Sequence, residues 1–161
     1  MYQKYKETGN IYLRSRLAAQ LSRQEALEKL NFDYETLGKY ERGQLIPSDE
    51  TVIIMARVYH DPILKLEHLF GKNPIGRSLG WKIDRTDLSQ CTLGFLGKFN
   101  DVAGDRDQLI AIVSDGVIDD SEQSQFDSIM AKSDRLVQEA IKLRFTAMYR
   151  TKEKTAFAEA V

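Results

Sequence analysis

Apolar residues in the first part of the chain recur at three- and four-residue steps, a spacing that predicts a series of short helices. Asn10 is placed to cap a first helix that runs to about residue 20. Ser22 and Glu25, three residues apart, form a capping box that starts a second helix. This helix ends near Asn31, because asparagine tolerates the left-handed backbone conformation that terminates helices.

Three more helices are predicted in the same part of the chain, from apolar spacing and from residues that begin and end helices. Asp33 caps the third helix and Gly43 stops it. Residues 47–50 open the fourth, whose apolar face runs from Val52 to Tyr59. An Asp-Pro break separates it from a short fifth helix over residues 63–70. Five short helices in succession predict a compact all-α domain.

The chain divides into three predicted parts. Residues 1–72 form the five-helix domain, and residues 73–85 contain glycines and a proline without a clear apolar period. We interpret the second segment as a linker, because glycine and proline interrupt regular structure. Beyond it, residues 86–161 return to a helical period. The predicted fold is therefore all-α, with a five-helix domain followed by a long C-terminal helical hairpin.

Two long amphipathic helices are predicted in this hairpin. The first spans about residues 86–114, with Gly94, Gly97 and Gly104 as points where it could loosen. Asp115-Gly116 forms the turn, and the second helix begins near Asp120. A lone hairpin leaves its apolar stripes exposed, so we expect two hairpins to pair in a four-helix bundle and form a homodimer. The residues predicted to line this dimer interface are Leu88, Phe95, Phe99, Phe126, Ile129, Leu136 and Leu143.

Composition and charge exclude several classes of protein. A hydrophobic content of 42% with three prolines is typical of a folded helical chain. No apolar run approaches the ~20 residues of a membrane span, so we expect no membrane association. The single cysteine, Cys91, lies on an apolar stripe as a small core residue, and its isolation is typical of the reducing cytoplasm. The net charge of −1 means that any DNA binding must depend on locally placed cations.

Catalytic and metal-binding patterns are incomplete. Residues 115–122 are similar to the second half of an EF-hand loop, but its first two ligand positions fall on Ala111 and Val113, which offer no side-chain oxygen. His60 and His68 lie on either side of a proline-containing break, without cysteines or carboxylates to complete a metal site. We therefore expect surface or partly packed histidines, no metal, no cofactor and no enzymatic activity.

The stretch from Leu21 to Pro47 is the most informative part of the sequence. It predicts two short helices joined by a tight turn and followed by Glu-Arg-Gly. The third helix has a narrow apolar stripe formed by Leu37 and Tyr40. The residues left outside are Tyr34, Glu35, Gly38 and Lys39. A protruding helix of this kind suits insertion into a DNA groove, although a plain hairpin in a helical bundle also explains the apolar spacing.

Residues 11–64 resemble the Cro/repressor-type helix-turn-helix family of transcriptional regulators, also called the xenobiotic-response-element type. The resemblance rests on the spacing of Arg16, Leu21 to Glu25, Asn31-Phe32, Leu37 to Tyr40, Glu41-Arg42-Gly43 and Pro47-Ser48. It implies a lambda-repressor-like domain whose third helix reads the major groove of double-stranded DNA. Because one such domain contacts half an operator, it also implies a dimer, and most directly a bacterial or phage repressor.

The resemblance further implies roles for individual side chains. Tyr34, Glu35 and Lys39 are the expected base-reading residues, although Glu35 is also a favourable acid in the first turn of a helix. Phosphate contacts are expected from Arg23, Gln24, Thr36 and Arg42. Arg16 and Glu41 are expected to form an ion pair that ties the first helix to the end of the third.

A second function stays open on the sequence alone. The chain could be a phage or mobile-element inhibitor or antitoxin, whose C-terminal half binds another protein while the N-terminal domain controls its own promoter. The predicted outer face of the hairpin is rich in acids that suit a protein partner, although a solvated face is the commoner explanation of such charges. These acids are Asp101, Asp105, Asp107, Asp115, Asp119 and Asp120. Trp81 either anchors the two parts of the chain or marks a partner surface.

Overall fold

The computed structural model describes residues 9–158, with side chains described up to residue 148, and this part of the chain holds nine helices and no strand. The predicted all-α class is confirmed. Residues 1–8 and 159–161, which the predicted domains include, lie outside the described residues. The described chain forms two compact units, of which the first contains residues 9–84 and 148–158 and the second residues 85–147.

Six helices lie within residues 9–84. They are α1 (Ile11–Ala18), α2 (Arg23–Leu30), α3 (Tyr34–Glu41), α4 (Asp49–Val58), α5 (Ile63–Gly71) and α6 (Pro74–Ser78). The first four begin directly after Asn10, Ser22, Asp33 and Ser48, whose side-chain oxygens accept hydrogen bonds from backbone N–H groups of the first turn. The predicted starts of these four helices are therefore confirmed.

A three-residue turn joins α2 to α3. Its first residue, Asn31, adopts the left-handed conformation with φ 55° and ψ 45°, as the sequence predicted. The second, Phe32, packs edge-on against Tyr40 with ring centroids 6.1 Å apart. The third, Asp33, caps α3. The turn is thus fixed by backbone conformation, by packing and by a cap.

The core of the first unit lies between α1, α2, α3, α4 and α5. Its buried side chains are Tyr12, Ala26, Leu30, Leu37, Val52, Met55, Ala56, Tyr59 and Leu64. Each large apolar side chain buried in this way contributes about 1.5–3 kcal/mol to folding. From α3, Leu37 belongs to this apolar set and Gly38 and Glu41 are also buried, while Tyr34 and Glu35 remain exposed.

The segment at residues 73–85, predicted to be a linker, contains α6. Asn73 caps this helix by accepting hydrogen bonds from the backbone N–H groups of Ile75 and Gly76. Gly76 lies against α5 so closely that a Cβ there would be 1.9 Å from the carbonyl oxygen of Leu69. The segment is therefore packed into the first unit, and the five-residue helix is too short to give a period in the sequence.

Trp81 follows α6 and packs against Phe70 near the end of α5. The two ring centroids are 5.4 Å apart and the ring planes are inclined at 42°. Tilted aromatic contacts of this kind add stability beyond the apolar area that they bury. Trp81 thus helps to hold the segment after α6 against α5.

The second unit contains three helices in the described chain: α7 (Leu88–Gly104), α8 (Arg106–Ile112) and the first part of α9 (Asp120–Ala158). The prediction of a single helix over residues 86–114 is wrong, because the chain leaves the helical conformation at Asp105. Gly104 weakens the helix at this point. The carboxylate of Asp105, the residue at the break, lies 2.6 Å from Lys132 Nζ of α9.

The start of α9 agrees with the sequence. Asp119 Oδ1 accepts hydrogen bonds from the backbone N–H groups of Ser121 and Glu122 at 2.7 and 3.0 Å. In return, Glu122 Oε2 accepts a hydrogen bond from the backbone N–H of Asp119 at 3.2 Å. This reciprocal cap starts α9 at Asp120, as the sequence predicted.

Two of the residues discussed above are buried in the second unit. Cys91 is fully buried, which confirms its predicted place in a core. Ile129 was expected to line a dimer interface, but it is 2% exposed and therefore packs inside its own unit. Phe99 is 51% exposed, and the other predicted interface residues are partly buried. None of the helices within residues 9–158 has the length and apolar character needed to cross a membrane.

Candidate nucleic-acid interface

The exposed face of α3 carries the residues that were expected to read DNA bases. Tyr34, at the first position of the helix, is 63% exposed, and Glu35 is also exposed. Lys39 lies one turn further on with its side chain 45% exposed. Leu37 points into the core on the opposite side. The helix therefore has one buried edge and one polar edge open to solvent.

Gly38 departs from the prediction, since it is buried and not open. The side chain of Arg42 covers it, and a Cβ at residue 38 would lie 2.8 Å from Arg42 Nη1. Arg42 Nε also donates a hydrogen bond to Gln44 Oε1 at 2.9 Å. The guanidinium thus lies back along α3, which places its charge beside the exposed face of the helix.

Glu41 is the centre of a buried ionic network, with its side chain 1% exposed. Arg16 Nε donates to Glu41 Oε1 at 2.5 Å, and Arg16 Nη2 donates to Oε2 at 3.3 Å. Arg23 also donates to Oε2, from Nε at 3.1 Å and from Nη2 at 2.8 Å. Arg16 and Glu41 thus lie together as the resemblance implied, and Arg23 is a third member that sequence reasoning missed.

Arg23 also contacts Tyr34, the first residue of α3. Its Nη1 donates a hydrogen bond to the phenolic oxygen at 2.9 Å, and its guanidinium carbon lies 5.0 Å from the ring centroid. The hydrogen bonds that Arg23 donates to Glu41 and to Tyr34 raise its pKa above the ordinary value. The guanidinium is therefore charged and held by two partners, and it joins α2 to both ends of α3.

Glu35 and Lys39 pair with each other on the surface of α3. Lys39 Nζ lies 2.9 Å from Glu35 Oε1, one helical turn away. Exposed pairs at this spacing contribute about 0.2–0.5 kcal/mol. Both side chains can therefore exchange this contact for a ligand at low cost.

Two further residues expected to contact phosphates are engaged near helix starts. The hydroxyl of Thr36 donates to Asp33 Oδ2 at 2.6 Å, which together with the backbone N–H of Thr36 lowers the pKa of the Asp33 carboxyl. Gln24 donates from Nε2 to Glu28 Oε1 at 3.2 Å. Thr36 thus supports the cap of α3, while the Gln24 amide lies at an exposed position in the first turn of α2.

The charge around this face is mixed. Residues 21–50 carry four lysines and arginines against seven aspartates and glutamates, a net charge of −3. The cations on or beside α3 are Arg23, Lys39 and Arg42. A ligand with phosphates would therefore be recognised by few cations at defined positions, and a broad basic surface is absent from this segment.

His68 was expected at the surface or partly packed, but it is 4% exposed. Its Nδ1 lies 2.9 Å from the hydroxyl of Tyr12, and its Nε2 lies 2.8 Å from Asp49 Oδ1. Burial, followed by the charge of Asp49, raises the pKa of Tyr12 well above its ordinary value. These contacts join α1, α4 and α5, and their separation along the sequence left no local pattern to predict them.

In the part of the chain that the structure describes, no three His, Cys, Asp or Glu side chains come together as a metal site. No protein-family model, curated protein or solved structure matches this chain. The candidate site is thus characterised by its own geometry: a capped α3 that is tied to α1 through Arg16 and to α2 through Arg23.

Proposed function

We propose that the chain is a sequence-specific DNA-binding transcriptional regulator of the lambda-repressor-like type, acting as a dimeric repressor in the cytoplasm. The observation that supports this function best is the arrangement of α2 and α3. A three-residue turn joins the two helices, and α3 buries Leu37 while it exposes Tyr34 and Lys39. A helix held on one side and open on the other can enter the major groove.

In this proposal, Tyr34, Glu35 and Lys39 face base edges. The Lys39 amine donates to O6 or N7 of guanine, and Glu35 accepts from the amine of cytosine. Each such pair discriminates against a wrong base by about 1–3 kcal/mol. This discrimination free energy is larger than the few tenths of a kcal/mol, roughly, that the Glu35–Lys39 surface pair contributes to the free chain. The balance therefore favours exchange of the internal pair for base contacts.

Gln24 and Arg42 are the proposed contacts to the DNA backbone, with Thr36 supporting the cap of α3. Gln24 lies in the first turn of α2, where helix N–H groups favour an anion. Arg42 is exposed at the other end of α3. Because few phosphates are contacted, we expect a weak salt dependence, with a slope of about −0.9 per phosphate.

The second unit is the proposed site of dimerisation. Large apolar side chains remain exposed on α7, on α8 and in the segment after it: Leu93, Leu96, Phe99, Ile110, Val113 and Val117. A second copy would cover such a surface and place two recognition helices on one operator. Light scattering should give a dimer for the wild-type chain and a monomer for Phe99→Glu, whereas a wild-type monomer at micromolar concentration contradicts dimerisation.

Lys39 and Lys29 provide a matched test of DNA binding. Both are lysines of the helix-turn-helix, but Lys29 is an exposed residue in the last turn of α2 and is not among the proposed DNA contacts. We expect Lys39→Ala to reduce the preference for cognate over unrelated DNA by about tenfold, since one base contact is lost. Lys29→Ala should leave this ratio unchanged. Equal effects of the two substitutions, measured by fluorescence anisotropy, would rule out the proposed docking.

A second candidate function is the binding of another protein by the second unit, as in a phage or mobile-element inhibitor or antitoxin. The same exposed apolar side chains favour it, because a foreign helix can cover them as well as a second copy can. Light scattering separates the two candidates, since this one requires a chain that is monomeric alone and forms a complex of fixed stoichiometry with its partner.

A further inference from the structure

We propose that Arg23 controls the DNA sequence preference of this chain by positioning Tyr34, and that it does not itself neutralise a phosphate. This inference rests on the proposed DNA-binding function and assigns a role that differs from the one expected from the sequence. It depends on the geometry of the Arg23 guanidinium, on the burial of Glu41 and on the exposure of Tyr34.

All three guanidinium nitrogens of Arg23 donate to groups within the chain. Nε and Nη2 donate to Glu41 Oε2, at 3.1 and 2.8 Å, and Nη1 donates to the Tyr34 hydroxyl at 2.9 Å. The planar fork of arginine suits this arrangement, because its donors have a fixed mutual geometry. Only one N–H of Nη1 and one of Nη2 remain, so a phosphate that took up the full fork of Arg23 would have to displace at least one of these partners.

Displacement of Glu41 from Arg23 is less favourable than displacement of Tyr34. Its carboxylate is 1% exposed and shares its negative charge between Arg16 and Arg23. Loss of a partner by a buried charge is strongly destabilising. A phosphate contact at Arg23, which is 30% exposed, would be weakened by solvent and salt and would not compensate for this loss. Arg23 therefore stays on Glu41 when DNA binds.

Tyr34 is the residue on which this fixed arginine acts. Its side chain is 63% exposed at the first position of α3, where an unsupported ring would exchange between rotamers. Arg23 contacts it through the hydroxyl and lies 5.0 Å from the ring centroid. The buried Arg16–Glu41 pair thus sets the position of Arg23, and Arg23 sets the position of the ring.

The hydrogen bond also determines what Tyr34 can read. Because Arg23 donates to the phenolic oxygen, the O–H hydrogen of Tyr34 remains available to donate to a ligand. In the major groove, the base atoms that can accept a hydrogen bond from this hydroxyl are N7 of either purine, O6 of guanine and O4 of thymine. The inferred ligand of Tyr34 is therefore a base-edge acceptor and not a donor such as the cytosine amine.

Two separate substitutions, one at each residue, test this role of Arg23. Arg23→Lys keeps the charge but loses the fork that contacts Glu41 and Tyr34 together, and Tyr34→Phe removes only an exposed hydroxyl. We expect both to lower the preference at the same operator base pair by about tenfold, the loss typical of one hydrogen-bonded base contact. The double variant should lose no more than either single one, because the two residues act together.

Salt dependence and side-chain order provide the remaining readouts. Arg23→Lys should leave the salt slope of the cognate complex unchanged, and NMR couplings should show the Tyr34 χ1 angle averaging between rotamers in the free variant. A base preference retained in Arg23→Lys, or a slope that falls by about 0.9 in Arg23→Ala on all sequences, overturns the inference and leaves the proposed function intact. A wild-type chain without any sequence preference overturns both.

Discussion

Arg16 on α1 and Glu41 at the end of α3 share a buried ion pair, in which Nε and Oε1 are 2.5 Å apart. The two residues are separated by 25 positions in the chain, and each side chain is at most 8% exposed. A buried charge keeps its partner, because an uncompensated charge in the interior is strongly unfavourable. This pair therefore fixes the C-terminal end of α3 against α1.

Substitution of Glu41 tests the contribution of this pair to folding. Glu41→Gln removes the negative charge that Arg16 and Arg23 share, and we expect the free energy of unfolding to fall by about 3–5 kcal/mol. Glu35→Gln is the matched control, because it breaks an exposed pair worth about 0.2–0.5 kcal/mol. Urea unfolding measures both. Similar losses for the two variants would show that the buried network has no special role in stability.

Two buried tyrosines are expected to respond to loss of their hydroxyls in opposite directions. Tyr59 is 2% exposed, and its hydroxyl has no hydrogen-bond partner within the described part of the chain. Tyr59→Phe should therefore raise the unfolding free energy by about 1 kcal/mol. The Tyr12 hydroxyl lies 2.9 Å from His68 Nδ1, so Tyr12→Phe should lower the unfolding free energy by about the same amount. Changes of the same sign would contradict this assignment of partners.

The cap of α3 predicts a pH dependence of stability. Hydrogen bonds from the hydroxyl and then the backbone N–H of Thr36 lower the pKa of Asp33 in the folded chain. A lowered folded pKa means that this stabilisation is present above the unfolded pKa of about 4 and is lost as the pH falls through the folded value. Asp33→Asn retains a capping oxygen but does not titrate. The stability advantage of the wild-type chain over this variant should therefore decline below about pH 4, and a difference independent of pH would contradict it.

Gly38 is expected to separate stability from DNA binding. Gly38→Ala adds a Cβ 2.8 Å from Arg42 Nη1, a flexible group that can move aside. The unfolding free energy should rise by up to about 1 kcal/mol, since alanine favours helix, while DNA affinity should fall as Arg42 is displaced. Gly97→Ala is the control, because no atom lies within 4 Å of its Cβ position. It should stabilise the chain without any effect on DNA affinity, and equal affinities for the two variants would exclude a role for Arg42.

Features that depend on neighbouring residues could be predicted from the sequence. The caps at Asn10, Ser22 and Asp33 involve groups two or three residues away, so local spacing was sufficient to locate them. The left-handed turn at Asn31 follows in the same way from the backbone preference of asparagine. These features define α2 and α3, and hence the outline of the candidate interface.

Features that depend on distant residues could not be predicted. His68 meets Tyr12 across 56 positions of the chain, and this contact becomes apparent only when α1 and α5 pack together. The third member of the Glu41 network, Arg23, was missed because an arginine at a helix start also suits a phosphate. Apolar spacing identified the stripe that contains Ile129, but spacing alone does not separate the interior of one unit from an interface between two copies.

The most direct test of DNA reading by α3 is selection of bound fragments from a random double-stranded DNA pool with the full chain. A dimer with two recognition helices should enrich a palindrome whose half-sites lie about one helical turn, or a multiple of it, apart. Selection with Lys39→Ala should lose the preference at one base pair in each half-site, while selection with Lys29→Ala should return the wild-type palindrome. A wild-type pool without enrichment, or a preference that Lys39→Ala leaves unchanged, would contradict the proposal that α3 reads DNA.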